Sequence, residues 1–276
     1  MASPPKLKDI LDFLGRLAPW DLAESWDNVG LMIGNPEQEA RGVLVALDPT
    51  MPVIDEALEQ QADIILTHHP LIFHPIKSIN TATSSGKLLK KALNHDIAII
   101  SCHTNLDLIE NGVSDGLAKT IDLRQTLPLA PAGNKPGQGF GKIGDLPSPM
   151  DRDHFLRLVA EQLNLRSITL AGPVPPVIGR VAVCGGSGAE FAETARAAGA
   201  DIYITAELKH SVARWAEENA FCIIDGSHFA TENIVIPMLV AKLTTFFQQT
   251  NSAVPVMASQ RQGNPLHHYF YENVTR

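Results

Sequence analysis

Three separate apolar runs in this chain end in side chains that bind metal ions. ADIILT (62–67) runs into His68-His69-Pro70. AIISC (98–102) runs into His103 and, four residues on, Asp107, while CIIDGS (222–227) runs into His228 and then Glu232. Mixed imidazole and carboxylate donors suit Zn, Mn, Fe, Co or Ni, and suit Mg or Ca poorly. Adjacent side chains at a strand end point apart, so a single ion takes both His68 and His69 with difficulty. Two ions lying close together would use both, and Glu232 could bridge them with one oxygen to each. The expected cofactor is therefore a pair of divalent cations, and the chemistry such a pair could supply is hydrolysis by an activated water.

No one of these pairs is diagnostic alone. His267-His268 is expected to bind no metal, and a His-x-x-x-Asp pair often only forms an ion pair along a helix. The weight lies in three clusters at three strand ends. His74, His95 and His154 lack an acidic companion at such a position and read as surface or core residues, and His210, in TAELKH, reads as a loop residue. Gly185-Gly186-Ser187-Gly188 lies between a strand and a helix, as either a tight connection or an anion cradle. It has neither GxGxxG nor GK[ST], so it is not a dinucleotide fingerprint or a P-loop. Trp26 to Leu31, WDNVGL, reads equally as a cavity wall and as a turn anchored by Trp26.

The elements that carry these residues are written twice. Residues 42–69, GVLVALDPTMPVIDEALEQQADIILTHH, align without a gap to residues 180–207, RVAVCGGSGAEFAETARAAGADIYITAE, at an offset of 138. Each copy is an apolar strand, a turn, an amphipathic helix and a second apolar strand: a βαβ unit with buried parallel strands. The runs into His103 and His228 form a second, looser echo. The fold class is thus α/β, with two similar lobes and the metal site at the carboxyl ends of strands, where parallel sheets bind ligands. The lobes are expected at about 1–126 and 151–276, within one unit spanning 1–276. Residues 127–150, rich in Pro and Gly, should join them, with one short strand at Phe140 to Ile143. Helices are expected near the start, with Ile10, Leu11, Leu14 and Leu17 on one face, from Asp151 to Leu163, and from Glu232 to Gln249. Pro237 must then kink the last helix or lie in its first turn.

Bulk composition narrows the partners. In 276 residues, 45% are hydrophobic and 19% charged, as in an ordinary globular protein. The formal net charge of −8 disfavours a broad grip on nucleic acid. Cys102, Cys184 and Cys222 are too few, and odd in number, for a disulfide framework, and fit a reducing compartment. The first twenty residues lack the apolar stretch of a signal peptide, and no run reaches the roughly 20 apolar residues that span a bilayer. The expectation is a cytoplasmic protein with no membrane partner.

Taken in order, WDNVGL, ADIILTHHPLIF, SCHTNLD, GFGKIGDL, VAVCGGSG, ADIYITAELKH and DGSHFATE cover nearly the whole chain. Together they resemble the family of GTP cyclohydrolase 1 type 2 homologues, the NGG-one-interacting-factor-three-like proteins, in its short bacterial form. The resemblance implies two similar lobes, a toroidal homohexamer and dinuclear metal sites facing an inner cavity. It places the ligands on His68, His69, Asp107, His228 and Glu232, with His103 beside them as a further ligand or a proton carrier. Ala206 and Ser227 stand where the family usually has glycine. The family name implies a small-molecule substrate, GTP, attacked at C8 of the purine with eventual release of formate. A non-catalytic assembly that stores, delivers or senses metal, or binds other proteins, is the alternative.

Overall fold

The computed structural model describes residues 4–132 and 136–269. The chain opens with α1 (Leu7–Leu17), whose Leu7, Ile10 and Leu14 are fully buried, each contributing about 1.5–3 kcal/mol. It continues through β1 (Gly30–Ile33), β2 (Val43–Ala46), α2 (Met51–Glu59), β3 (Ile64–Thr67), α3 (Ser84–Asn94) and β4 (Ala98–Ser101). Two short helices follow, α4 (Thr104–Leu108) and α5 (Val113–Thr120), then β5 (Arg124–Pro131), β6 (Gly139–Asp151), α6 (Arg152–Gln162), β7 (Thr169–Ala171) and β8 (Val177–Val183). The remainder comprises α7 (Ala192–Ala197), β9 (Ile202–Thr205), α8 (His210–Glu218), β10 (Cys222–Asp225), α9 (His228–Glu232), α10 (Val235–Gln249) and β11 (Val256–Ala258).

These strands form two mixed sheets, ordered β1-β4-β3-β2-β11 and β5-β6-β8-β9-β10-β7. The duplication in the sequence is a duplication of sheet geometry. Val43 pairs with Ile64 across β2 and β3, and Val181 pairs with Ile202 across β8 and β9, each residue displaced by the same 138 positions. β4 then adds parallel to β3 as β10 adds parallel to β9, and each gains an antiparallel neighbour, β1 or β7. Parallel strands covered on both faces read as unbroken apolar runs, and β2, β3, β4 and β9 are buried at every position. One face of the first sheet packs on α1 and α10, the other on α2 and α3. The second sheet lies between α5 with α6 and α7 with α8.

Two expectations change. The Pro/Gly-rich stretch 127–150 is not a plain connection: β5 and the 13-residue β6 pair antiparallel and extend the second sheet through β8. Its prolines escape the usual ban because β5 is an edge strand and the pairing of β6 with β8 breaks register between Asp145 and Met150. The C-terminal boundary also moves. α10 buries Leu239, Leu243 and Phe247 in the first sheet's core, and β11 pairs parallel with β2, so the chain's end returns to the first lobe. Pro237 sits in the first turn of α10, where its missing N–H costs nothing. Asp151 caps α6 by accepting from the His154 amide at 3.0 Å.

Glu56, buried on α2, fastens this return. Its carboxylate accepts from Ser259 Oγ at 2.5 Å and from the amides of Gln260 and Arg261 at 2.9 and 3.3 Å. Burial alone would raise its pKa, but these donors together hold it below the usual value. A carboxyl depressed in the folded state stabilises above its unfolded pKa, and that contribution is lost as pH falls through the folded value. Glu56→Ala should therefore cost about 2 kcal/mol in urea unfolding at neutral pH, from the loss of three hydrogen bonds of which only the one from the Ser259 hydroxyl is buried. The difference from wild type should shrink as the pH is lowered through the carboxylate range.

Candidate metal centre

Parallel strands expose free backbone and side chains at their carboxyl ends, and the two sheets turn those ends toward each other. His68 and His69 directly follow β3, His103 follows β4 and precedes the single turn of α4 that carries Asp107, and α9 spans His228 to Glu232 after β10. The spacing of four residues within α4 and α9 puts each acid on the same helical face as the histidine before it. The structure brings all six side chains into one cluster. Glu232 lies at its centre, with Oε2 3.0 Å from His69 Nε2 and 2.9 Å from His228 Nε2, and Oε1 3.7 Å from His68 Nε2. Asp107 Oδ1 lies 3.6 Å from the same nitrogen of His68. His103 joins His68 and His69 in a second group whose donor atoms lie within 4.8 Å of one another.

The ring orientations decide what the centre can hold. His68 Nδ1 lies 2.8 Å from the carbonyl of Cys102, an acceptor only, so that nitrogen carries the proton and Nε2 presents a lone pair. His69 Nδ1 is 2.7 Å from Asp48 Oδ1, His228 Nδ1 is 2.9 Å from Glu207 Oε1, and His103 Nδ1 is 2.8 Å from Asp27 Oδ1. Every ring is thus held at Nδ1 and aims Nε2 inward, the arrangement that orients metal-binding histidines. His69 Nε2 and His228 Nε2 stand only 3.2 Å apart, and His68 Nε2 and Glu232 Oε2 are buried without a hydrogen-bond partner. Lone pairs converging at such distances repel unless a proton or a cation lies among them, and desolvation magnifies the cost. The residues present fit divalent cations.

Without a cation, protons take up this role. Burial would lower the pKa of His69, but the hydrogen bond with Asp48 and the Glu232 carboxylate 3.0 Å from its Nε2 raise it to about 10. His68 and His228 are likewise raised against burial, by the charges of Asp107 and Glu232 for the first and by Glu232 for the second. Glu232 is held well below the carboxylate range, because the imidazoles outweigh its burial. Burial raises Asp107 despite the nearby histidines.

Backbone geometry supports the cluster closely. Gly186, at φ +65°, faces Glu232: a Cβ there would stand 2.0 Å from Oε1. The amides of Gly186 and Gly188 donate to Thr231 Oγ1 and Thr205 Oγ1, both at 3.0 Å, so these two amides tie the turn to the centre and are engaged within the protein. Ser227 adopts φ +66°, a conformation natural to glycine, immediately before His228. Such strain costs about 1–3 kcal/mol and persists where the surroundings impose it. Trp26 serves both readings of its segment in part. Its ring is 55% exposed and lines the cavity described below, while Gly30 and Leu31 enter β1.

Four supporting groups escape a reading of the sequence alone: Asp27, Asp48, Glu207 and the Cys102 carbonyl. A signal for two of them exists in the repeat, where Glu207 aligns with His69 and Asp48 with Gly186. His74, His95, His154, His267 and His268 are exposed and outside the cluster. His210 is also exposed but begins α8, so it is a helix residue and not a loop residue. All three cysteines are free and buried.

A cavity of about 470 Å³ opens onto His103, Asp107, His228 and Glu232. Two α/β lobes enclosing a histidine-carboxylate cluster beside such a cavity define the class of protein. The family model of Duf34/NIF3 (NGG1p interacting factor 3) matches residues 5–265, and the chain belongs to this family. It is 36% identical to a Streptomyces coelicolor protein named GTP cyclohydrolase 1 type 2 homolog, over 83% of this chain and 82% of that one. A Clostridium acetobutylicum protein of the same name is 34% identical over 94% and 97%. The crystal structure of a Bacillus cereus protein related to NIF3 superposes with a TM-score of 0.92 at 25% identity, covering 97% of this chain and 100% of that one. A Staphylococcus aureus hypothetical protein gives 0.90 at 29% identity over the same shares.

Two tests follow from the geometry. Gly186→Ala should push Glu232 out of place and weaken metal binding by about 10–100-fold, read by competition with a chromogenic chelator. A metal-free site that holds protons must release them on binding, so Zn affinity should rise with pH toward about 10, the value to which His69 is raised. Calorimetry in buffers of different ionisation enthalpy should count at least one proton released.

Proposed function

We propose that this protein is a metal-dependent hydrolase carrying two divalent cations, acting on a purine nucleotide or a related heterocycle. The observation that carries this reading is the cavity beside the cluster: a catalytic centre keeps an open position for water and substrate, whereas a closed storage or structural site does not. One ion would be held by His69, His228 and Glu232, and the other by His68, Asp107 and Glu232. When bound, the ions supply Lewis acidity that makes water nucleophilic near neutral pH. Glu232 belongs to both positions because its two oxygens face different histidines. The metal identity in this reading lies among Zn, Fe, Mn, Co and Ni, from the donor types.

His103 carries the proton. Asp27 holds its Nδ1, and Asp27 is itself fixed by the amide and hydroxyl of Thr104 at 3.0 and 2.5 Å. Burial opposes ionisation of Asp27, yet His103 and Thr104 take its pKa down to about 2, so it remains a carboxylate that steadies the ring through a proton transfer. GTP enters as a candidate substrate from the name of the relatives, with attack at C8 and formate as product. A cytoplasmic setting belongs to the same proposal. It is supported by three buried free thiols, and among the described residues no helix is long and apolar enough to cross a membrane. The homohexameric assembly also belongs to it, supported by the family membership.

Formate release from GTP and from guanosine, measured with each of the five metals, tests the reading. Release that Glu232→Ala abolishes together with bound metal is the expected result; no formate from either compound with any metal would sink the hydrolase. His103→Ala should keep two ions and lose turnover by about 10²–10⁴-fold. Loss of one ion would instead make His103 a ligand.

A further inference from the structure

The walls of the cavity restrict what can reach the centre. Trp26 and Phe73, from the first lobe, lie 5.9 Å apart at 51°, and both rings stand near the edge of His103, at 6.2 and 6.3 Å. Phe140 and Phe191, from the second lobe, form a stacked pair with centroids 5.7 Å apart and planes inclined by 19°. Both pairs line the same cavity, and Trp26 and Phe73 are 55% and 38% exposed. Aromatic faces offered to a cavity bind flat π-systems.

Charge gives the second restriction. Among the described residues lining the cavity there is no Lys or Arg, while Glu24 and Glu190 stand in its wall. Asp27, Asp48 and Glu207 lie directly behind the histidines, and Asp107 and Glu232 lie within the cluster. Seven carboxylates outweigh the four positive charges of two dications, so the loaded site still repels a polyanion. The Gly185–Gly188 turn offers little relief, since the amides of Gly185, Gly186 and Gly188 already donate within the protein, which leaves the Ser187 amide alone to face an anion.

We propose that the cavity takes an uncharged or cationic planar nitrogen heterocycle, at the level of a base or nucleoside, and discriminates against its phosphorylated forms. This rests on the same centre as the hydrolase reading and narrows its substrate, with Glu24 and Glu190 in the wall as acceptors for ring N–H groups and the acidic surroundings as the element that turns phosphates away. Titrating the full-length protein, metal-loaded and metal-free, with guanosine and with GTP at several salt concentrations tests it by calorimetry and Trp fluorescence. Guanosine should bind about ten-fold or more tighter than GTP at low salt, and GTP affinity should rise as salt screens the repulsion. Trp26→Ala should weaken guanosine about ten-fold, and Glu190→Lys, at an exposed position that leaves the core untouched, should improve GTP binding several-fold. GTP binding tighter than guanosine, GTP affinity that falls with salt, or no guanosine binding at millimolar concentration would each overturn the proposal. Binding is read without turnover, so absence of formate would remove the hydrolase alone and leave this ranking intact.

Discussion

A buried carboxylate surrounded by imidazole lone pairs is a costly thing to build, and the rest of this structure is arranged around that cost. Glu232 is 4% exposed and faces His69 and His228 at hydrogen-bonding distance, yet the protons of those rings are engaged on their far sides. Positive charge must enter the cluster for the fold to keep it closed. Protons can supply that charge, and the donor set is one that divalent cations displace them from. Acid and metal therefore compete for the same nitrogens.

Holding four rings in one orientation demands partners that do not touch the cluster's interior. Asp27, Asp48, Glu207 and a backbone carbonyl each fix one Nδ1, and each partner comes from a different segment. The strained backbone at Ser227 and the close approach of Gly186 belong to the same demand: the chain accepts unfavourable conformations where His228 and Glu232 have to be aimed. Two sheets packed on both faces by helices supply a scaffold stiff enough to sustain that strain. The return of α10 and β11 to the first sheet ties the segment after Glu232 into a core distant in sequence.

The same negative charge that attracts cations shapes the approach to them. Aromatic rings from both lobes meet at the cavity, and carboxylates stand behind and beside it, so the opening is apolar on its faces and acidic at its edges. Relatives named GTP cyclohydrolase 1 type 2 homolog align with most of the chain, but a fold hosts many chemistries, and the side chains at the cavity set which molecule fits.

Much of this was legible in the order of residues because it is local. Apolar runs of four to six residues specify buried strands, the 3.6-residue period specifies the helices, and a strand that ends in His68-His69 or leads to His228 must deliver those rings to a sheet's carboxyl edge. The 138-residue repeat carried even the strand register, since β-pairing within a βαβ unit follows from the unit itself. What lay beyond reach depends on contacts between remote segments. His69 and His228 are 159 positions apart, and His103 and Asp27 are 76 apart. No periodicity encodes which carboxylate supports which ring, that residues 127–150 would pair as strands, or that the C-terminus would rejoin the first sheet. Those outcomes are set by how two sheets pack against each other and by which side chains then find themselves buried together, and only the tertiary structure decides that.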